Sequence, residues 1–296
     1  MTASSLSPRF MKIISLPEFP ARQNTAHKGS FKTLYIIGGQ SNMIGAPTLT
    51  ARAALRSGAG LVKFIADESI LSNLLLLESS ATGVAISDKA RNLERVLVEV
   101  DPDDSGVLAV GPGMGRTPQS RSRLSSLLNT NRSMVLDADA LNLLAETGEK
   151  LEPAAKCRVL TPHPGEFRRL AQAVGIKHDP VDPEQRVKAA TALAKLHHAV
   201  VVLKGHQTVI ASRTQCHVNH TGNAVLATAG SGDVLTGLIA SLIAQGLDGF
   251  AAATLGAHLH GLAADLWVAE NGPVGLLARN LADMLPKAIR QYLMQS

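Results

Sequence analysis

The sequence predicts a single α/β domain in which a mostly parallel sheet carries helices on both faces. Three observations lead there. Short apolar or β-branched runs alternate with helical patterns along nearly all of the 296 residues. The runs are continuously apolar, which suits strands covered on both faces. Glycine- or proline-bearing turns follow one run after another, at the positions where open α/β sheets hold their ligands.

Residues 1–26 bear Pro8, Pro17 and Pro20 and read as an irregular arm, expected to pack on a neighbour; the domain spans 27–296. Leu34–Ile37 is the first strand, and Gly45-Ala46-Pro47 opens a helix over 48–57. Further strands are expected at 61–65, Val107–Val110, 134–136, Arg158–Leu160 and Val200–Leu203. Segments 207–211 and 215–218 flank Ser212-Arg213-Thr214 and read as a hairpin. Val234, Leu235, Leu238, Ile239, Leu242 and Ile243 share one helical face, with Gly246 as the stop. A last long helix covers 250–268, with Leu255, Leu259, Leu262 and Leu266 in its stripe.

Composition narrows the function. With 45% hydrophobic and 18% charged residues the chain is globular. The net charge of +5 favours anionic small molecules as well as nucleic acid, but 3% aromatics leave hardly any stacking platform, so no nucleic acid is expected. Arg116, Arg121, Arg123 and Arg132 read as a solvated helical face. No signal peptide and no membrane span is expected, and Cys157 and Cys216 fit two reduced thiols in the cytoplasm.

Chemistry concentrates after the strands: Gly38-Gly39-Gln40, Gly111-Pro112-Gly113, Asp137-Ala138-Asp139, Thr161-Pro162-His163-Pro164-Gly165-Glu166 and Lys204-Gly205-His206-Gln207-Thr208. Each is ordinary turn chemistry alone; together on one edge they point to a site. Ala229-Gly230-Ser231-Gly232 runs into Asp233 at a helix start, where free N–H groups and the helix dipole favour an anion. Asp233 is then a candidate base beside a phosphate cradle, which suits phosphoryl transfer to a hydroxyl. The bland alternative is a tight loop with Asp233 as a helix cap. His163, stiffened between two prolines, favours a ligand role. His258 and His260 face different ways, which argues against a metal pair, and His197-His198 reads as a helix end. Asp137, Asp139 and Glu166 could position Mg²⁺ through water. A helix-cap role for Asp139 is equally open, and the metal ligands stay unassigned.

These motifs, with His27-Lys28-Gly29-Ser30-Phe31, Ala54-Leu55-Arg56-Ser57-Gly58-Ala59-Gly60 and Ala257-His258-Leu259-His260-Gly261, resemble the NAD(P)H-hydrate dehydratases of the ribokinase-like fold. The resemblance runs from about His27 to the last helix. It implies dehydration of the hydrated nicotinamide ring of NADHX or NADPHX, driven by ADP or ATP with Mg²⁺, and a homo-oligomer, by analogy a tetramer. Ala46, Gly113, His163 and Asp233 would contact the nicotinamide substrate. Lys204, Gly205, His206, Gln207, Thr208 and Gly232 would hold the adenine nucleotide. Many members carry an N-terminal epimerase domain, for which this chain has no room. It departs from the usual pattern at Ala224-Val225, at Ala229, tolerable only if φ there is negative, and at His206-Gln207, where nucleotide preference could change. The alternatives are a ribokinase-like kinase of hydroxyethylthiazole, hydroxymethylpyrimidine or a sugar, and a non-catalytic nucleotide-binding regulator.

Overall fold

The computed structural model describes residues 15–86, 93–153 and 156–295. In chain order the strands are β1 (Leu34–Ile37), β2 (Val62–Asp67), β3 (Thr82–Ile86), β4 (Val107–Val110), β5 (Ser133–Leu136), β6 (Arg158–Leu160), β7 (Val200–Leu203), β8 (Val209–Ala211) and β9 (Cys216–Val218). The helices are α1 (Gly45–Arg56), α2 (Glu68–Leu77), α3 (Leu93–Val100), α4 (Pro118–Leu128), α5 (Asp139–Thr147), α6 (Pro164–Val174), α7 (Arg186–Leu196), α8 (Ser231–Ala244), α9 (Gly249–Asn271) and α10 (Ala278–Gln295).

One nine-stranded sheet has the order β3-β2-β1-β4-β5-β6-β7-β8-β9. Its strands from β3 to β7 are parallel; β8 and β9 close the edge antiparallel, as the expected hairpin. Both faces are covered. Leu34, Ile36, Phe64, Val107 and Val135 join α1, α8, α9 and α10 on one side, while Tyr35, Ile37, Leu108, Met134 and Leu136 join α3 to α7 on the other. Continuous apolarity in the strands is therefore two-sided burial.

The sheet carries more than the sequence pattern predicts. Edge strand β3, with helices α2, α3 and α10, was not expected, and α10 contains Pro286 within its span. Helix α8 buries every residue from Val234 to Ala244, not one face, because α1, α9 and α10 enclose it. The described part of the arm is irregular and packs on its own domain: Leu16 and Phe19 join the core, Tyr292 donates to the Pro17 carbonyl, and Arg22 lies over Phe31. Residues 1–14 lie outside the described residues. Arg132 is not on a solvated helical face; it precedes β5, is 1% exposed, and pairs with Asp101 and Asp104. Arg116 and Arg121 pair with Glu146, and Arg123 with Asp67. Among the described residues no helix is long and apolar enough to cross a membrane.

Candidate active site

All the strands from β1 to β7 run parallel, so the turns after β1, β4, β5, β6 and β7 meet at one sheet edge. The strand order reverses between β1 and β4, whose chain neighbours lie to opposite sides, and the crevice beyond such a reversal is where these sheets bind ligands. There the turns lie nearly in contact. Gly39 N donates to Pro112 O at 3.0 Å, and Gly111 N to Ile37 O at 3.0 Å. Gly111 has φ +118°, and a Cβ on it would stand 1.9 Å from the Asp137 carbonyl oxygen, so glycine is required. A Cβ on Gly113 would lie 3.3 Å from Cβ of Ala46, which places Ala46 and Gly113 side by side at the reversal. Thr50 Oγ1 donates to both the Ala46 carbonyl (3.2 Å) and the Asp233 carbonyl (3.1 Å), tying the starts of α1 and α8 together.

A concavity opens farther along the edge, between the turn after β7, the start of α8 and α9. This cleft of about 430 Å³ is lined by Lys204, Gly205, His206, Gln207, Thr208 and Gly232, with the wall Asn219 to Asn223 opposite. The wall is fastened to α9: Thr221 Oγ1 donates to the His258 carbonyl at 2.8 Å, and Gly222 N donates to Asp265 Oδ2 at 2.9 Å. Helix α8 begins at Gly230, which has φ +88° and offers no side-chain cap. The Gly232 and Asp233 amides have no acceptor within the described chain, so they remain open to a ligand. A Cβ on Gly232 would sit 3.3 Å from Lys204 Nζ; the bare glycine leaves that space to an anion. The φ of Ala229 is not positive, which meets the condition for alanine there.

Between the strand-order reversal and this cleft lies a largely buried charge cluster. Lys204 Nζ donates to Asp137 Oδ1 at 2.8 Å and stands 3.7 Å from Glu166 Oε2. Lys204 is thus a largely buried cation, its side chain 18% exposed at the cleft, with two carboxylates rather than a surface ion pair. Burial alone would lower its pKa, but Asp137, Glu166 and Asp233 reverse that and hold it charged. Asp137 is 1% exposed and held by three donors: Thr161 Oγ1 and Lys204 Nζ reach Oδ1, and Thr236 Oγ1 reaches Oδ2 at 2.8 Å. Burial, and then the Asp137 charge, push the Asp233 carboxyl up to about 7. Glu166 is likewise pushed up to about 7, chiefly by burial. Ala138, between Asp137 and Asp139, has φ +51°, a strained conformation of the kind that clusters at functional sites.

His163 is the N-cap of α6. Its Nδ1 accepts from Gly165 N (3.0 Å) and Glu166 N (3.4 Å), while Glu166 accepts from the His163 amide in return. The ring is half exposed at this edge, and burial with Lys204 nearby lowers its pKa, so it is neutral. Asp139 is not a helix cap; its Oδ2 accepts from Gly115 N at 2.8 Å and so fixes the turn after β4. Asp137, Asp139 and Glu166 do not converge on a metal position, and among the described residues no acidic, His or Cys group of three does. His197 ends α7 as expected. His260 is buried and bonded to the Ser231 carbonyl at 2.9 Å. It backs the start of α8, a contact that sequence spacing gave no means to foresee.

Free amides, a part-buried lysine and a carboxyl of raised pKa at the ligand edge of this sheet are the equipment of an enzyme class, nucleotide-dependent phosphoryl transfer. Comparison with known proteins narrows this. The profile of the NAD(P)H-hydrate dehydratase family matches residues 34–287, and the chain belongs to that family. An ADP-dependent (S)-NAD(P)H-hydrate dehydratase of Neisseria meningitidis is 40% identical over 270 residues, which cover 89% of this chain and 87% of that protein. A bifunctional NAD(P)H-hydrate repair enzyme of Moorella thermoacetica is 39% identical over 284 residues; these span 92% of this chain but only 52% of the longer protein. The chain thus spans about half the length of such bifunctional relatives. Among solved structures, the ADP/ATP-dependent NAD(P)H-hydrate dehydratase of Bacillus subtilis, co-crystallized with ATP/Mg²⁺, has a TM-score of 0.78 and 31% identity, covering 92% of this chain and 94% of that one. The kinase alternative shares the fold, but the family match favours the dehydratase.

Proposed function

We propose that this chain restores NADH or NADPH from their hydrated forms, using ADP or ATP as phosphoryl donor. Ala46, Gly113 and His163 bound the hydrate at the strand-order reversal. Lys204 to Thr208 and Gly232 hold the nucleotide in the neighbouring cleft, and Asp233 stands where the two ligands meet. The single observation that carries this is the start of α8: two unclaimed amides, Lys204 Nζ against Gly232, and a carboxyl pushed up to about 7.

The chemistry follows from the poor leaving ability of hydroxide. Asp233 as carboxylate takes the proton of the ring hydroxyl while that oxygen attacks the terminal phosphorus. The Gly232 amide and Lys204 draw off the charge that develops on the phosphoryl oxygens. The C–O bond then breaks with phosphate as leaving group, helped by the ring nitrogen lone pair, and a proton lost from the neighbouring ring carbon restores the double bond. AMP or ADP and phosphate are released. Mg²⁺ keeps most of its water and binds phosphate oxygens. A cytoplasmic setting is part of this reading, supported by the two free cysteines, as is a homotetramer by family analogy, which sedimentation would measure.

The test is to incubate the protein with NADHX or NADPHX and either nucleotide while following reduced-nicotinamide absorbance. Nucleotide-dependent recovery supports the reading. Absence of recovery with both nucleotides, alongside phosphorylation of a vitamin precursor or sugar, would replace it with the kinase. In a nucleotide-bound structure the phosphates should lie against residues 230–233; phosphates elsewhere would refute the role of Gly232.

A further inference from the structure

Arg186, the first residue of α7, is 9% exposed and reaches behind the turn that follows β7. Its guanidinium donates to three carbonyls of that one stretch: Leu203 O at 3.1 Å, Lys204 O at 3.3 Å, and His206 O. No carboxylate forms an ion pair with it among the described residues, and its Nε has no partner. A buried cation met only by carbonyl dipoles is unusual, because its desolvation is ordinarily offset by a counter-charge.

The geometry has a consequence for the loop. All peptide bonds described are trans, and in a trans peptide the C=O and the following N–H point in opposite directions. With the carbonyls of Lys204 and His206 drawn onto Arg186, the amides of Gly205 and Gln207 are turned away from it. Gly205, His206 and Gln207 line the nucleotide cleft, whereas Arg186 does not. The loop therefore lies between guanidinium and cleft, with those two amides on the cleft side and without backbone acceptors. The conformation that achieves this is not a relaxed one: Gly205 has φ +135° and Gln207 φ +55°. A Cβ on Gly205 would stand 3.1 Å from Arg186 Nη2, so the turn is moulded onto the guanidinium.

We propose that Arg186 is a positioning residue for the nucleotide: its planar fork fixes the 204–208 turn with amides toward the cleft, and the phosphates supply its missing counter-charge. This rests on the cleft being the nucleotide site. Arg186 acts through the loop, without touching the nucleotide. A lysine keeps the charge but cannot span three carbonyls with one rigid fork. Shape and charge are therefore separable.

The experiment is calorimetric titration of the purified protein, Arg186→Lys and Arg186→Met with ADP at low and moderate salt, with circular dichroism to verify the fold. Both variants should bind ADP about ten- to a hundredfold more weakly, in line with the loss of charge-assisted hydrogen bonds. Arg186→Met should also lose part of the salt dependence, which Arg186→Lys should retain. In turnover assays the KM for nucleotide should rise while the KM for hydrate stays unchanged. If Arg186→Met fails to fold, Arg186→Lys decides alone. A folded variant with the original ADP affinity, or one that weakens both ligands equally, overturns the proposal. If the unmodified protein does not bind ADP, the nucleotide cleft falls and this inference with it, an outcome distinct from failure of the variants alone.

Discussion

At the N-terminal ends of β4 and β5, Arg132 is 1% exposed and donates to Asp101, whose oxygens also accept from Ser105 and Gly106. Asp104 adds a second, half-exposed carboxylate at Nη2, which also donates to the Leu97 and Asp101 carbonyls. At the other end of the same sheet, Lys204 faces the carboxyl groups of Asp137, Glu166 and Asp233. The first cluster is closed by backbone and side-chain partners. In the second, two of the three carboxyl groups are held near 7, and adjacent amides are left without acceptors. Buried charge is structural where side-chain and backbone partners enclose it. It becomes chemical where carboxyl groups are pushed up in pKa and the backbone beside them is left open.

The comparison breaks most sharply at Asp233. Asp233→Asn should keep ADP affinity and fold while turnover falls by about a hundred- to ten-thousandfold, since the amide cannot accept a proton. Turnover near the original value would leave Asp233 as a mere structural residue. At the opposite end, Arg132→Met removes a cation from a closed cluster and strands Asp101. Unfolding free energy should drop by about 3–5 kcal/mol, with turnover per folded molecule unchanged. A large loss of turnover in the folded fraction would erase the distinction between the two ends.

A subtler effect concerns stability against pH. The folded-state pKa of Asp233 lies above its ordinary value, so protonation stabilises the native state fully below about pH 4. That contribution is lost as pH rises through about 7. Asp233→Asn does not titrate, so at pH 8 it should be the more stable protein by on the order of 2 kcal/mol, a few degrees in Tm. Near pH 4 that gain should be absent. Thermal melts of the ligand-free proteins at both pH values would show it; an equal difference at both would remove the buried-carboxylate argument. The smallest effect divides the ligands. His163→Ala should weaken hydrate or NAD(P)H binding by about tenfold or less while ADP affinity is kept, and Lys204→Ala should do the reverse. Titrating each variant with each ligand would contradict the division if both weakened the same one.

What could be read from sequence differs by kind of signal. The five turns were legible because glycine and proline after an apolar run have local causes, and parallel pairing then puts them on one edge. Gly232 and Asp233 were legible because a helix start announces itself in the pattern that follows. Strand β3 was not: Thr82 is exposed, Gly83 interrupts it, and an edge strand needs less apolarity. Arg132 and Arg186 escaped for another reason. An arginine in sequence reads as solvent-facing, and only tertiary packing shows which carbonyls and carboxylates enclose it. The enclosure of Asp137 by Thr161, Lys204 and Thr236 escaped for the same reason, since it joins residues up to 99 positions apart.

The pH dependence of kcat/KM for nucleotide-driven dehydration tests most directly whether the carboxyl group at the start of α8 is the base. Asp233 must be ionised to accept the hydroxyl proton, and its pKa is pushed up to about 7. The rate should therefore fall about tenfold per pH unit below that value. A profile that stays flat down to about pH 5 would mean that a carboxylate of ordinary pKa, or no base at all, takes the proton, and would contradict the account.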